Sequence, residues 1–198
     1  MLNHTSPMEL RLVLNVPNTM TAVRVVLSGI IFFLLLKSEF FIGGILLFLA
    51  SLTDGVDGLV ARRLGQATLG GALFDLMADE VLFMPNLIAA VHMGLFSSAD
   101  NLMPLNPYPY AVSALAGGVT VVSGVGIYLW KRRKRQMEFP SPTMVVKLTF
   151  WFWLAPLISA VLGVGPDWLL ATLMYLSIIW TGLAFYSYLK KGAYVFTD

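Results

Sequence analysis

The stretch DGVDGLVARRLGQATLGGALFDLMAD (residues 54–79) decides the architecture of this chain, because it places charge between two apolar segments. Four aspartates and two arginines lie inside it, whereas the residues on either side are almost all apolar. Two helices that meet at this stretch would carry these charged residues at one shared end. We therefore predict helices that are apolar over most of their length and polar where they meet.

The composition is that of an integral membrane protein. Of 198 residues, 58% are hydrophobic and 12% are charged, and the mean hydropathy is +0.78. Soluble domains carry about 25% charged residues. Apolar runs of about 20 residues, long enough to cross a bilayer, recur along the chain. The net charge of +2 gives no indication of nucleic-acid binding, and we expect no nucleic-acid partner.

The pattern of apolar runs predicts an all-α domain with six transmembrane helices, covering residues 1–198. Residues 1–17 are predicted to form an amphipathic helix on the membrane surface, ended by Pro17, and residues 18–189 to form the six-helix bundle. The predicted spans are about 21–36, from 40 into the charged stretch, 69–96, 110–130, 145–164 and 168–189.

The basic residues predict the orientation of these spans. Cytoplasmic loops of membrane proteins carry an excess of lysine and arginine. With six spans, most basic residues fall on one side: Arg11, Arg62, Arg63, Lys131–Arg135, Lys190 and Lys191. We therefore predict that both termini and residues 54–79 face the cytoplasm, in a bacterial or archaeal cytoplasmic membrane.

The spacing of the aspartates predicts a metal site. Asp54 and Asp57 are three residues apart, and Asp75 and Asp79 are four apart, so each pair shares one helix face. Such a cluster of oxygen ligands suits Mg²⁺, Mn²⁺ or Ca²⁺. The chain has no cysteine and two histidines, which excludes thiolate chemistry and histidine-rich metal sites. Four carboxylates close together repel one another, and two divalent cations would neutralise their charge. We therefore predict two bound cations.

Small and basic residues beside the aspartates indicate a phosphate ligand. Glycine and alanine leave room for a ligand to approach the backbone. The arginines of the same stretch supply positive charge that suits phosphate oxygens. Together with carboxylate-bound cations, these residues favour binding of a pyrophosphate and transfer of a phosphoryl group.

The motif itself resembles the signature of a known family. It reads Asp54-x2-Asp57-Gly58-x2-Ala61-Arg62-x8-Gly71-x3-Asp75-x3-Asp79. This resembles the signature of the CDP-alcohol phosphatidyltransferases at every defining position. VPNTMTAVRVVL (16–27) is similar to the first-helix motif of that family, and PSPTMVVKLT (140–149) to the stretch before its fifth helix.

The resemblance implies an activity and a set of site residues. Asp54, Asp57 and Asp75 would coordinate Mg²⁺ or Mn²⁺, with Asp79 completing a second metal site and acting as general base. CDP-diacylglycerol would be the lipid substrate, and CMP would leave as an alcohol attacks. The residues implied in nucleotide binding are Asp54, Gly58, Ala61, Arg62 and Gly71.

The acceptor alcohol is less well defined than the reaction. Arg24 and Lys147 resemble phosphate-binding positions of members that use glycerol 3-phosphate or phosphatidylglycerol, so glycerol 3-phosphate is the expected acceptor. Arg24 could equally anchor its helix at the interface. Glu80 and Val146 depart from the pattern of those members, and the fourth span lacks their charged residues. Phosphatidylglycerol, giving cardiolipin, and inositol-phosphate or serine-type alcohols therefore stay open as acceptors.

A channel or transporter could use the aspartate cluster, but the acids gather at one membrane edge and no repeat relates the two halves. A scaffold protein would not account for the metal-binding spacing of the aspartates.

Small residues on the fourth span predict close helix packing, such as a homodimer interface: Gly117, Gly118, Gly124 and Gly126.

Overall fold

The computed structural model describes residues 16–63, 69–96, 107–132 and 144–193. Within these ranges, the backbone alone is described for residues 17, 54–63, 69, 124–132, 144–147 and 188–193. Nearly all of the predicted interfacial helix, residues 1–17, lies outside the described residues.

The described residues form six α-helices and no strand. The helices are α1 (Val16–Leu36), α2 (Phe40–Arg63), α3 (Leu69–His92), α4 (Pro107–Arg132), α5 (Met144–Leu162) and α6 (Asp167–Ala193). The prediction of an all-α chain is confirmed. Each predicted span has one helix as its counterpart, whereas six membrane crossings and cytoplasmic termini stay predictions.

Two of the described helices are long and apolar enough to cross a membrane by length and composition. They comprise Asn18–Leu36 of α1 and Asp167–Ser187 of α6. Shorter apolar segments cover Phe40–Thr53 and Leu148–Leu162. Large apolar side chains are also exposed along α1 and α6, including Phe33 and Ile179. Soluble monomers rarely expose such apolar surface, which is consistent with a membrane protein.

The helix boundaries follow from local chemistry. α1 is described from Val16 onward and includes Pro17, a residue that a helix tolerates in its first turn. α3 ends at His92 rather than at the predicted residue 96. Gly94 has a positive φ of 70°, and Leu95 donates its backbone N–H to the Ala90 carbonyl. This is the Schellman arrangement that stops a helix.

The chain divides into two compact units, Met1–Asn86 and Leu87–Asp198. In the first unit, α1 packs against α2. A Cβ added to Gly43 of α2 would lie 3.1 Å from Cδ2 of Leu35, so the two helices approach closely at this glycine. The prediction of a single domain over residues 1–198 stays a prediction.

In the second unit, Trp153 of α5 lies at the centre of the contacts with α4 and α6. Its indole Nε1 donates to Oγ1 of Thr181 at 2.7 Å, and its carbonyl accepts a hydrogen bond from the Tyr110 hydroxyl. The indole ring lies directly against Gly117. Phe152 stacks on Trp180 with ring centroids 4.2 Å apart.

Candidate active site

One face of α1 is buried and polar over its first half. Asn18, Thr21, Arg24 and Ser28 follow one another at spacings of three and four residues, and none is more than 7% exposed. This spacing places them on a single helix face. Farther along the same face, Ile31 and Leu35 are fully buried and apolar. The buried surface of α1 therefore changes from polar to apolar midway along the helix, while its opposite surface is apolar.

Arg24 of α1 pairs with two of the motif aspartates on α3. Its Nη1 atom lies 2.6 Å from Oδ1 of Asp79 and 3.3 Å from Oδ1 of Asp75. Thr21, one turn earlier on α1, lies with its Oγ1 3.4 Å from the same Asp75 oxygen. Arg24 is 1% exposed, so its side chain is enclosed by the protein. The choice between phosphate binding and anchoring at the interface stays a prediction.

The two carboxylates differ in access. The side chain of Asp75 is 35% exposed, whereas that of Asp79 is 16% exposed. Both Oδ1 atoms lie within reach of one nitrogen atom, so the two carboxylates converge on a common volume. The predicted convergence of Asp75 and Asp79 on one face of a helix is confirmed.

A second contact between α1 and α3 results from a proline. Pro85 lies inside α3, and because proline has no N–H, the carbonyl of Val81 four residues earlier loses its helical partner. The Ser28 hydroxyl donates to this carbonyl at 2.6 Å. Asn86 in turn donates from Nδ2 to Ser28 Oγ at 3.3 Å and to the Leu82 carbonyl at 2.6 Å. These bonds fix the axial position of α1 relative to α3. Arg24 is thereby placed beside Asp79.

Glu80, next to Asp79 in the chain, is 8% exposed. Its Oε2 atom is buried and has no hydrogen-bond partner among the described residues. A buried carboxyl without a partner is costly. Glu80, which also departs from the family pattern, is therefore expected to carry an energetic cost.

Apart from Gly71, the other predicted site residues are described by their backbone alone. Asp54, Asp57, Gly58, Ala61 and Arg62 belong to the last part of α2, and their side chains lie outside the described residues. Gly71 lies in the first turn of α3. Lys147 lies in the first turn of α5, and its side chain is likewise not described. None of the side chains of the basic run Lys131–Arg135 is described.

The converging carboxylates suit a hard divalent cation. Asp75 and Asp79 offer carboxylate oxygens of the kind that Mg²⁺ and Mn²⁺ prefer. Among the described side chains, no group of three or more potential metal ligands is present; Asp54 and Asp57 are outside that set. The donor chemistry of the two described aspartates therefore fits a metal, and a complete ligand set stays a prediction.

Comparison with known proteins relates nearly all of the helical region to one family. The sequence model of the family described as CDP-alcohol phosphatidyltransferase matches residues 14–185. This match covers all six helices except the end of α6. The resemblance stated from the motif is confirmed.

Individual relatives agree with the family match. The chain is similar to the CDP-diacylglycerol–glycerol-3-phosphate 3-phosphatidyltransferase of Aquifex aeolicus, with 31% identity over 139 residues, 70% of this chain and 71% of that protein. It is 38% identical over 80 residues to the protein of the same name from Haemophilus influenzae, covering 39% and 43% of the two chains. A probable CMP-forming cardiolipin synthase of Drosophila melanogaster is 36% identical over 84 residues, 42% of this chain and 26% of its own.

Sequence reasoning did not single out Thr21, Ser28 or Asn86 as part of this cluster. Two signals were available. Polar residues recur at helical spacing on the otherwise apolar α1, and an internal proline on α3 frees a carbonyl that needs a donor. Both signals become specific only when the partner helix is known.

Proposed function

Because the chain belongs to the CDP-alcohol phosphatidyltransferase family, we propose that it transfers a phosphatidyl group from CDP-diacylglycerol to glycerol 3-phosphate. The products are phosphatidylglycerophosphate and CMP, which makes it an enzyme of phospholipid biosynthesis. The observation that carries this assignment is the convergence of Asp75 and Asp79 on α3, at the register that the family motif requires. The names of the relatives from Aquifex and Haemophilus support glycerol 3-phosphate as the acceptor.

The proposed chemistry is a single displacement at phosphorus. Asp79 accepts the proton of the acceptor hydroxyl, and the resulting oxygen forms a bond to the lipid-side phosphorus of CDP-diacylglycerol. The bond from that phosphorus to the CMP oxygen breaks, and CMP carries away the electron pair. Asp79 is suited to this role because its carboxylate is largely enclosed and already hydrogen-bonded, which fixes its orientation.

The family is divalent-metal dependent, and we assign the metal ligands to Asp54, Asp57, Asp75 and Asp79. Two Mg²⁺ or Mn²⁺ ions are proposed. Bound metal would neutralise the pyrophosphate and the departing CMP, which is where phosphoryl transfer gains most of its rate. The proposed nucleotide pocket comprises Asp54, Gly58, Ala61, Arg62 and Gly71.

Two basic residues are proposed to act on the acceptor phosphate. Lys147 and Arg24 would supply positive charge for it. For Arg24 this role adds to its contacts with the carboxylates, since a guanidinium has five N–H donors. We also place the site at the cytoplasmic face of the membrane, where a soluble acceptor can reach a lipid substrate, and propose a homodimer.

A second acceptor is favoured by one specific observation, the similarity to a probable cardiolipin synthase of Drosophila. Phosphatidylglycerol in place of glycerol 3-phosphate would give cardiolipin by the same displacement. The chemistry at phosphorus is unchanged, so only the acceptor distinguishes the two proposals.

An acceptor panel tests the proposal. Purified protein with CDP-diacylglycerol and Mn²⁺ is supplied separately with glycerol 3-phosphate, phosphatidylglycerol, inositol phosphate or serine, and CMP and the lipid product are measured. We expect CMP release with glycerol 3-phosphate and a product of the mass of phosphatidylglycerophosphate. If CMP is released with phosphatidylglycerol and with none of the other acceptors, the enzyme would be assigned to cardiolipin synthesis instead. Absence of CMP with every alcohol would overturn the reaction class.

The role of Lys147 has its own control. Lys147→Met is expected to raise the KM for glycerol 3-phosphate with little change for CDP-diacylglycerol. Lys37→Met, at an exposed lysine between α1 and α2, should leave both values unchanged. An unchanged KM in Lys147→Met would remove this residue from the acceptor site.

A further inference from the structure

We propose that Arg24 is the built-in counter-ion of the acidic site: it neutralises and holds together Asp75 and Asp79 in the metal-free enzyme and weakens the binding of the divalent cation. This makes Arg24 a positioning residue that acts through the aspartates. The inference rests on the proposed metal site, and it concerns the state of the enzyme before metal and substrates bind.

The geometry is that of a partly enclosed ion-pair cluster. The Arg24 side chain is fully buried, and a single nitrogen of it reaches the Oδ1 atoms of both aspartates, at 2.6 Å and 3.3 Å. The shorter contact is to Asp79, the more enclosed carboxylate. Thr21 approaches the same oxygen of Asp75 at 3.4 Å.

Repulsion between the carboxylates explains why a fixed cation is needed there. Two carboxylates one helical turn apart repel each other strongly where water is scarce. A divalent cation relieves this repulsion when it is bound, but the enzyme also has to fold and persist without it. The guanidinium of Arg24 is permanently charged and carries several donors in one plane, so it can serve both carboxylates at once.

The position of Arg24 is itself fixed by a neutral contact. One turn farther along α1, the Ser28 hydroxyl donates to the Val81 carbonyl that Pro85 leaves without a helical partner. This bond does not depend on charge, so it sets the height of α1 against α3 whether or not metal is present. Arg24 is thereby held beside Asp79 rather than attracted to it from a distance.

The proximity of Arg24 has a consequence for metal affinity. A positive charge beside the ligands repels an incoming cation, and this repulsion is large at low effective dielectric. Removal of the Arg24 charge should therefore lower the stability of the metal-free protein and increase its affinity for the divalent cation. A residue that served only the acceptor phosphate would change neither quantity.

Thermal unfolding of the purified protein in detergent separates these roles. The unfolding temperature is measured with EDTA and across a Mn²⁺ titration for the native chain, Arg24→Met, Arg24→Lys and Val23→Met. Val23 is the matched control, because it neighbours Arg24 on α1 and is 53% exposed. Asp79→Asn serves to show that the Mn²⁺ response comes from this site.

We expect Arg24→Met to unfold several degrees lower than the native chain in EDTA, Arg24→Lys to lie between them, and Val23→Met to match the native chain. Mn²⁺ should raise the unfolding temperature most in Arg24→Met, with an apparent affinity about tenfold tighter than native, as expected when a nearby like charge is removed. Equal unfolding temperatures in EDTA, together with an equal Mn²⁺ response, would overturn the proposal.

A double variant keeps the test decisive if Arg24→Met does not fold. Removal of one carboxylate charge together with the guanidinium, in Arg24→Met/Asp79→Asn, should restore folding, because the repulsion between the aspartates is then gone. Failure of the double variant to fold better than Arg24→Met would show that Arg24 acts through its volume and would overturn the proposal. If Mn²⁺ stabilises no variant, the effect of Arg24 on metal binding is refuted, whereas the proposed function is judged separately by CMP release.

Discussion

Arg24 and Asp79 lie 55 positions apart in the chain and meet at 2.6 Å. The contact joins the first helix to the residue proposed as the catalytic base. Because the arginine is fully buried, the position of this carboxylate is defined by α1 as much as by α3. Changes in the packing of α1 should therefore affect the proposed chemistry even where the altered residue lies away from the motif.

Pro85 and Ser28 should depend on each other for their effect on stability. Ser28→Ala leaves the Val81 carbonyl without a donor, at an expected cost of about 1 kcal/mol. Pro85→Ala returns a backbone N–H to that carbonyl, so Ser28→Ala should cost less in the Pro85→Ala background. Unfolding midpoints of the four proteins of this double-mutant cycle measure the coupling. Equal costs of Ser28→Ala in both backgrounds would show that the serine does not replace the missing helical bond.

Glu80 is expected to reduce stability. The buried Oε2 atom of Glu80 has no hydrogen-bond partner among the described residues. Replacing such a carboxyl with an apolar side chain of similar size removes a cost of about 1–3 kcal/mol, so Glu80→Leu should raise the unfolding temperature. The matched control is Glu39→Leu, at an exposed glutamate, which should change it little. A lower unfolding temperature in Glu80→Leu would mean that the carboxyl has a partner in the native protein.

The acceptor specificity of the Glu80→Leu protein should be measured in the same preparation. Glu80 adjoins the proposed base and departs from the pattern of members that use glycerol 3-phosphate. If the carboxyl contributes to acceptor binding, the stabilised variant should show a higher KM for glycerol 3-phosphate. An unchanged KM would restrict Glu80 to a structural role.

Gly117 should not tolerate a methyl group. A Cβ at this position would lie 2.2 Å from Cζ2 of Trp153, and the indole is held in place by its bond to Thr181. Gly117→Ala should therefore lower stability by about 1–3 kcal/mol, as overpacked cores do. Gly182→Ala on α6, where nothing lies within 4 Å of the added Cβ, is the control and should be neutral or stabilising. Equal unfolding temperatures for the two variants would contradict this packing.

Much of the fold was predictable because membrane helices have a strong and simple signal. The sequence contains six long apolar runs separated by polar stretches. The six observed helices follow the same order. The ends were less predictable, since they depend on local backbone chemistry. The positive φ of Gly94 stops α3 earlier than its apolar pattern indicates.

The site was predictable to the extent that it lies in one helix. The spacing of Asp75 and Asp79 places both on one face of α3, and the structure agrees. Arg24 was expected to contact a phosphate or the interface, and its pairing with the aspartates was missed because it depends on the relative height of two helices. That height is set by Pro85, Ser28 and Asn86, none of which belongs to the motif.

CMP release by the native chain and by Asp79→Asn tests the account most directly. Both proteins are purified in detergent, shown to unfold cooperatively, and supplied with CDP-diacylglycerol, glycerol 3-phosphate and Mn²⁺, with EDTA as the metal-free arm. We predict metal-dependent CMP release by the native chain and a loss of at least about a hundredfold in folded Asp79→Asn, as expected when a general base is removed. Native-level CMP release by folded Asp79→Asn, or equal release in EDTA, would contradict the account.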